Sequence, residues 1–106
     1  MFGLKVKFPS VVVRQMAEVQ HETVFYSGRV QGVGFRYQTL QVAKGFDVAG
    51  YVCNLPDGRV QLEVEGESSE VDAFLDAIGA QLEGYIRKME RSTHRRPSQF
   101  NGFAIR

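Results

Sequence analysis

From Arg59 to Glu65 the chain alternates strictly between polar and apolar residues, with Val60, Leu62 and Val64 on one side. A period of two predicts a strand with one face buried and the other solvated. Further on the period changes. Val71, Phe74, Leu75 and Ile78 fall three and four residues apart, an apolar stripe that predicts a helix lying on a sheet. Ser68 or Ser69 is placed to cap that helix, and acidic residues in its first turn suit its dipole. Upstream, Glu22–Val30 is rich in β-branched and aromatic residues and predicts a first strand. A loop punctuated by Gly28, Gly32 and Gly34 follows it. Helical spacing resumes at Phe35, Leu40 and Ala43, and Gly45 stands where a left-handed residue would end that helix. Phe46–Val52 predicts a second strand, closed by the turn sequence Leu55-Pro56-Asp57-Gly58. Tyr85–Arg96 reads as a charged edge strand broken by Pro97, and Phe100–Ile105 as a short last strand.

The order is β-α-β-β-α-β with an extra terminal strand. That predicts an α+β domain of the ferredoxin-like, split βαβ kind: an antiparallel sheet with both helices on one face. At 106 residues the chain has one domain's length. The stretch Met1–Gln20 is not a secretory signal, because Pro9 and Ser10 interrupt its short apolar run. Residues 1–21 are therefore read as an N-terminal extension, with the functional chain starting near Met16 and the domain occupying 22–106. No stretch approaches a membrane span.

Charge and cysteine content narrow the function. The formal net charge is +1, from 13 basic and 12 acidic residues, which argues against a dedicated nucleic-acid or membrane-surface protein. The balance conceals a segregation. Residues 1–56 carry six basic and three acidic groups, residues 57–83 one basic and eight acidic, and residues 84–106 six basic and one acidic. An anion is thus repelled by the middle of the chain and tolerated by its ends. The lone Cys53 cannot form an internal disulfide and fits a reducing, cytoplasmic setting. With His21 and His94 far apart in sequence, no zinc cluster is expected and no cofactor is implied.

Candidate chemistry lies in Gly28–Arg36, Gly-Arg-Val-Gln-Gly-Val-Gly-Phe-Arg, which joins a strand to a helix start. Glycines let a backbone approach a ligand closely, free N–H groups at a helix N-terminus attract anions, and Arg36 offers a planar fork for phosphate. The same residues also fit a plain tight loop whose arginine only caps or snorkels. No Gly-Lys-Ser/Thr follows, so this is not a nucleotide P-loop. Asn54, at the end of the second strand, could hold and aim a water, or simply be a turn residue.

Together these stretches resemble the acylphosphatase family. Gly28–Arg36 matches that family's first signature, G-x-V-Q-G-V-x-F-R, throughout. Tyr51, Asn54, Gly58, Val60 and Gly66 keep the spacing of its second, and the likeness runs from about Glu22 to Arg106 through Phe100, Phe103 and Ile105. Cys53 departs from the pattern, in which a basic residue is common. The resemblance implies metal-independent hydrolysis of a carboxyl–phosphate anhydride to a carboxylate and inorganic phosphate. It implies that Arg36 and the backbone N–H groups of Val30, Gln31, Gly32, Val33, Gly34 and Phe35 bind the phosphate, and that Asn54 positions the water. The implied partner is a small acyl phosphate, with phosphate as product and inhibitor, and the enzyme is expected to be a monomer. An alternative is an acylphosphatase-like domain that processes carbamoyl phosphate with a partner protein.

Two rival readings are weaker. Cys53 and Arg59 show the C-x5-R spacing of thiolate phosphatases, but Pro56 removes an N–H donor and Asp57 would repel the anion. Gly34-Phe35-Arg36-Tyr37 echoes an RNA-binding aromatic motif, yet it opens a helix instead of lying on a central strand.

Overall fold

A computed structural model describes residues 18–106. Of the expected extension 1–21, residues 1–17, with the expected start near Met16, lie outside the described residues, and residues 18–21 belong to the first strand. The elements are β1 (Glu18–Gly28), α1 (Phe35–Ala43), β2 (Val48–Asn54), β3 (Val60–Gly66), α2 (Ser68–Gln81), β4 (Ile86–Pro97) and β5 (Phe103–Ile105). They form one sheet of order β4-β1-β3-β2-β5. Among the described residues no helix is long and apolar enough to cross a membrane.

The α+β, split βαβ expectation holds, with one correction. The sheet is mixed, because β5 runs parallel to β2 while the other pairings are antiparallel. Val24 and Tyr26 of β1, Val52 of β2, and Val60, Leu62 and Val64 of β3 make the face that packs on the helices. The predicted α2 stripe of Val71, Phe74, Leu75 and Ile78 is buried against it. Each such side chain contributes about 1.5–3 kcal/mol by leaving water. Phe74 is the hub, with Phe46 at 6.0 Å and Phe103 at 5.7 Å in edge-on contacts.

Local details differ from the sequence pattern for identifiable reasons. β1 begins at Glu18, ahead of the predicted Glu22, because its inward positions there are polar: Gln20 and Glu22 are buried. The Glu22 carboxylate accepts from Gln20 Nε2 (2.7 Å), Thr93 Oγ1 (2.8 Å) and Arg91 Nε (3.1 Å), so a fully buried charge is paired and solvated by protein. In α1 it is Thr39, not Leu40, that joins Phe35 and Ala43 in the core. Gly45 is not left-handed. Instead α1 closes by tight backbone bonds from Gly45 N to Val42 O (3.0 Å) and from Phe46 N to Ala43 O (3.1 Å). This turn consumes Phe46 and delays β2 to Val48. Neither Ser68 nor Ser69 caps α2: both are helical, and Glu67 occupies the cap without a side-chain bond.

The outer face of β3 is not fully wet, contrary to its alternation. Glu65 is 2% exposed because the chain leaving β4 crosses this face to reach β5. Glu65 Oε2 accepts from Ser98 Oγ at 2.9 Å and from the N–H groups of Gln99 and Phe100 at 2.7 Å. The Phe100 ring lies 5.9 Å from His21 and 5.8 Å from Tyr51. His21, opposite His94 in register, turns its Nε2 to Glu63 Oε1 at 3.0 Å. Burial, then the hydrogen bond to Glu63, pushes the Tyr51 phenol up to about 12.

This clasp carries a pH dependence. Burial raises the Glu65 pKa, but the bonds donated by Phe100, Gln99 and Ser98, with the His21 ring 3.5 Å away, outweigh it and hold the carboxyl below its ordinary 4.5. A depressed folded pKa contributes stability that is full above the unfolded value and lost as pH falls through the folded one. Urea unfolding followed from pH 6 downward is therefore expected to show a steeper acid loss in the wild type than in E65Q. Equal acid limbs would contradict the clasp.

Candidate active site

The loop between β1 and α1 begins where the β1–β4 register slips at Ser27/Gly28. Arg29 N donates to Tyr85 O at 2.9 Å, and the buried Val30 anchors the next residue in the core. Gly32 (φ 77°) and Gly34 (φ 81°) are left-handed, and a Cβ at either would meet nothing within 4 Å. The backbone angle, not space, selects glycine here. Gly34 is the N-cap of α1, and Gln38 N donates to Gly34 O at 2.9 Å as the first helical bond. The N–H groups of Phe35, Arg36 and Tyr37 stand ahead of that ladder. Among the described residues, no main-chain or side-chain acceptor takes a bond from the N–H groups of Val30 through Tyr37. A run of free donors at the positive end of a helix dipole is an anion site.

A cleft of about 190 Å³ opens on this loop. Pockets for drug-sized ligands span roughly 300–1,000 Å³, so this one suits a phosphoryl group with a small acyl portion. Val30, Gly32, Gly34, Phe35 and Arg36 line it, together with Asn54 from the end of β2. The structure thus gathers most of the residues singled out from sequence. Gln31 and Val33 are not in the lining: Val33 packs beside the core, and the Gln31 amide donates to Leu55 O and Arg59 O. Sequence reasoning missed two lining residues, Tyr37 (61% exposed) and Ile105 (39% exposed). An exposed Tyr beside Arg36 was a visible signal, whereas Ile105 arrives only because β5 pairs with β2.

Arg36 is half-buried on the first turn of α1, and its Nη1 donates to Arg106 O at 3.1 Å. That bond restrains one end of the guanidinium while leaving its other donors available to the cleft. Asn54 is the last β2 residue, paired with Val60. Its Oδ1 is buried and has no hydrogen-bond partner among the described residues. Buried acceptors are nearly always satisfied, and as a residue of the cleft lining Asn54 can accept from a donor that enters it.

The thiolate rival loses its geometry. By alternation from the buried Val52, Cys53 points to the helix-free face, and neither it nor Arg59 lines the cleft. Arg59 is bound to Asp57 at 2.9 Å and lies over the Phe25 ring at 4.6 Å. The RNA-binding rival fails as well, since Phe35 is buried against Tyr26 at 5.2 Å.

Comparison with known proteins bears on this site directly. The family model for acylphosphatase matches residues 22–105. The chain belongs to the acylphosphatase family. It is 35% identical over 83 residues to an acylphosphatase of Methanospirillum hungatei, a match covering 78% of this chain and 89% of that one. It is 53% identical over 55 residues to an acylphosphatase of Archaeoglobus fulgidus, 52% of this chain and 62% of the relative. The crystal structure of acylphosphatase from Bacillus subtilis superposes with a TM-score of 0.73 at 28% identity, covering 81% of this chain and 97% of that chain. Family and relatives together make this chain an enzyme whose reaction is acyl phosphate hydrolysis.

Proposed function

We propose that the protein hydrolyses acyl phosphates by direct attack of water on phosphorus, without a metal ion. Arg36 and the backbone N–H groups of residues 30–35 hold the phosphoryl oxygens, and Asn54 holds the water. The observation that carries this reading is the buried Asn54 Oδ1, without a hydrogen-bond partner among the described residues, in the same cleft as Arg36 and the helix N-terminus.

The chemistry demands little else. The departing group is a carboxylate, whose conjugate acid has a pKa near ~4, so it leaves without a general acid. Water bonds to phosphorus as the bond between phosphorus and the bridging oxygen breaks, and a phosphoryl oxygen takes the proton. A loose phosphoryl transition state gains chiefly from positioning and from donors aimed at its equatorial oxygens. Asn54 Oδ1 accepts a hydrogen bond from the water, which turns an oxygen lone pair toward phosphorus. Product phosphate fits the same donors and competes with substrate. The enzyme acts as a monomeric cytoplasmic domain, its first strand starting at Glu18 and not at the expected Glu22, a reading supported by the near-neutral charge and the single Cys53.

The test is hydrolysis of benzoyl phosphate in the presence of EDTA, with inorganic phosphate as inhibitor. Full turnover with competitive inhibition is expected. No turnover, or turnover only with a divalent cation, would overturn the reading. The alternative, work on carbamoyl phosphate with a partner protein, has only partial support. The crystal structure of T. kodakarensis HypF is similar over 82% of this chain (TM-score 0.71, 25% identity), but the match covers 12% of that chain.

A further inference from the structure

Asn54 and the phosphate loop come from separate parts of the chain, yet in-line attack requires them to be registered to a fraction of an ångström. Asn54 cannot supply that registration through its own Oδ1, which has no partner among the described residues. The side chain of Gln31 can. Its Nε2 donates to Leu55 O at 2.8 Å and to Arg59 O at 2.9 Å. These two carbonyls flank the turn that begins immediately after Asn54. Among the described residues, they are the only side-chain hydrogen bonds between the loop and the β2–β3 hairpin.

We propose that Gln31 is a positioning residue that locks Asn54 to the phosphate loop. The proposal rests on the reading of Asn54 as the residue that holds the water. Neither carbonyl depends on Gln31 for satisfaction. Arg59 O also accepts from Leu55 N at 2.8 Å, and Leu55 O from Gly58 N at 3.1 Å. The amide therefore adds a tie between two pre-formed elements and does not rescue an orphaned group. The residue type follows from the same geometry. Two carbonyls facing one side-chain terminus need a nitrogen with two N–H donors, which an amide has; a carboxylate would oppose oxygen to oxygen. On the loop side, Gln31 sits between the buried Val30 and the cleft-lining Gly32. Its main chain follows a residue anchored in the core, and its side chain grips the hairpin.

The experiment is a double-mutant cycle with benzoyl phosphate as substrate and inorganic phosphate as inhibitor, using Q31M, Q31A, N54A and each Q31 variant combined with N54A. Q31M and Q31A are both expected to lower kcat about 10–100-fold, with the phosphate inhibition constant changed by less than about two-fold. In the N54A background the same substitutions are expected to lower kcat by less than about two-fold, because nothing remains to be positioned. A loss of fold integrity alone would lower kcat equally in both backgrounds. Equal losses in both backgrounds overturn the proposal, as does an unchanged kcat in Q31M and Q31A. A phosphate inhibition constant that rises in step with the kcat loss also overturns it, by making Gln31 part of the anion site itself. Failure of the underlying reading looks different: the wild type does not turn over, or N54A keeps full activity.

Discussion

R36Q is expected to lower turnover of an acyl phosphate by about 10³-fold or more and to weaken inhibition by phosphate as well. Transition-state donors of this kind are worth about 10²–10³ each in rate, and a guanidinium on a transferring phosphoryl group about 10³–10⁵. Among the described residues, Arg36 is the one charged side chain in the cleft lining. Glutamine keeps a donor but loses both the charge and the fork, in the ground state and the transition state alike. R36K keeps the charge without the planar, bidentate geometry and should fall between the two. The fold should survive, since the only side-chain hydrogen bond of Arg36 among the described residues is the exposed one to Arg106 O. Steady-state kinetics with phosphate inhibition checks this. An R36Q turnover within about ten-fold of wild type would remove Arg36 from the mechanism.

N54A is expected to separate binding from chemistry. Its kcat should fall about 10²-fold or more, the usual cost of a misplaced reactant, while phosphate inhibits almost as before. The anion donors lie on the loop and on Arg36, and the substitution touches neither. Stability should move the opposite way from activity. Alanine deletes a buried oxygen that no described residue satisfies, so the melting temperature should equal or exceed that of wild type. N54D should be worse for turnover than N54A, because a carboxylate there faces the bound phosphoryl charge. A parallel rise of the phosphate inhibition constant in N54A would place Asn54 in the anion site instead.

Much of this was legible in the chain. The period of two at Val60–Val64 and the stripe from Val71 to Ile78 are local consequences of burial, and they named the strand and helix that build the core. Gly32 and Gly34 announced a loop in which positive φ is needed, and both have it. Residues whose environment is set by distant segments were not legible. Glu65 reads as the solvated side of a strand, yet the chain after β4 crosses over it and three donors converge on one of its oxygens. Gly45 and Ser68 carry the right chemistry for caps, but α1 closes by a tight turn and α2 starts from Glu67. Gln31 appeared only as a link in a backbone cradle; its side-chain bonds reach residues that are remote in sequence.

Residue pattern alone specified the elements, the order in which they occur and the two stretches proposed to hold the chemistry. Those depend on side-chain periodicity, backbone angles and residue type, all of which act within a few positions. Which groups share the cleft follows from how the strands pair and the loops meet. The pairing of β5 with β2 brings Ile105 to its mouth and Arg106 O to Arg36, and the β2–β3 turn meets Gln31. Such contacts join residues far apart along the chain through packing and hydrogen bonds, and no local pattern encodes the distance between them.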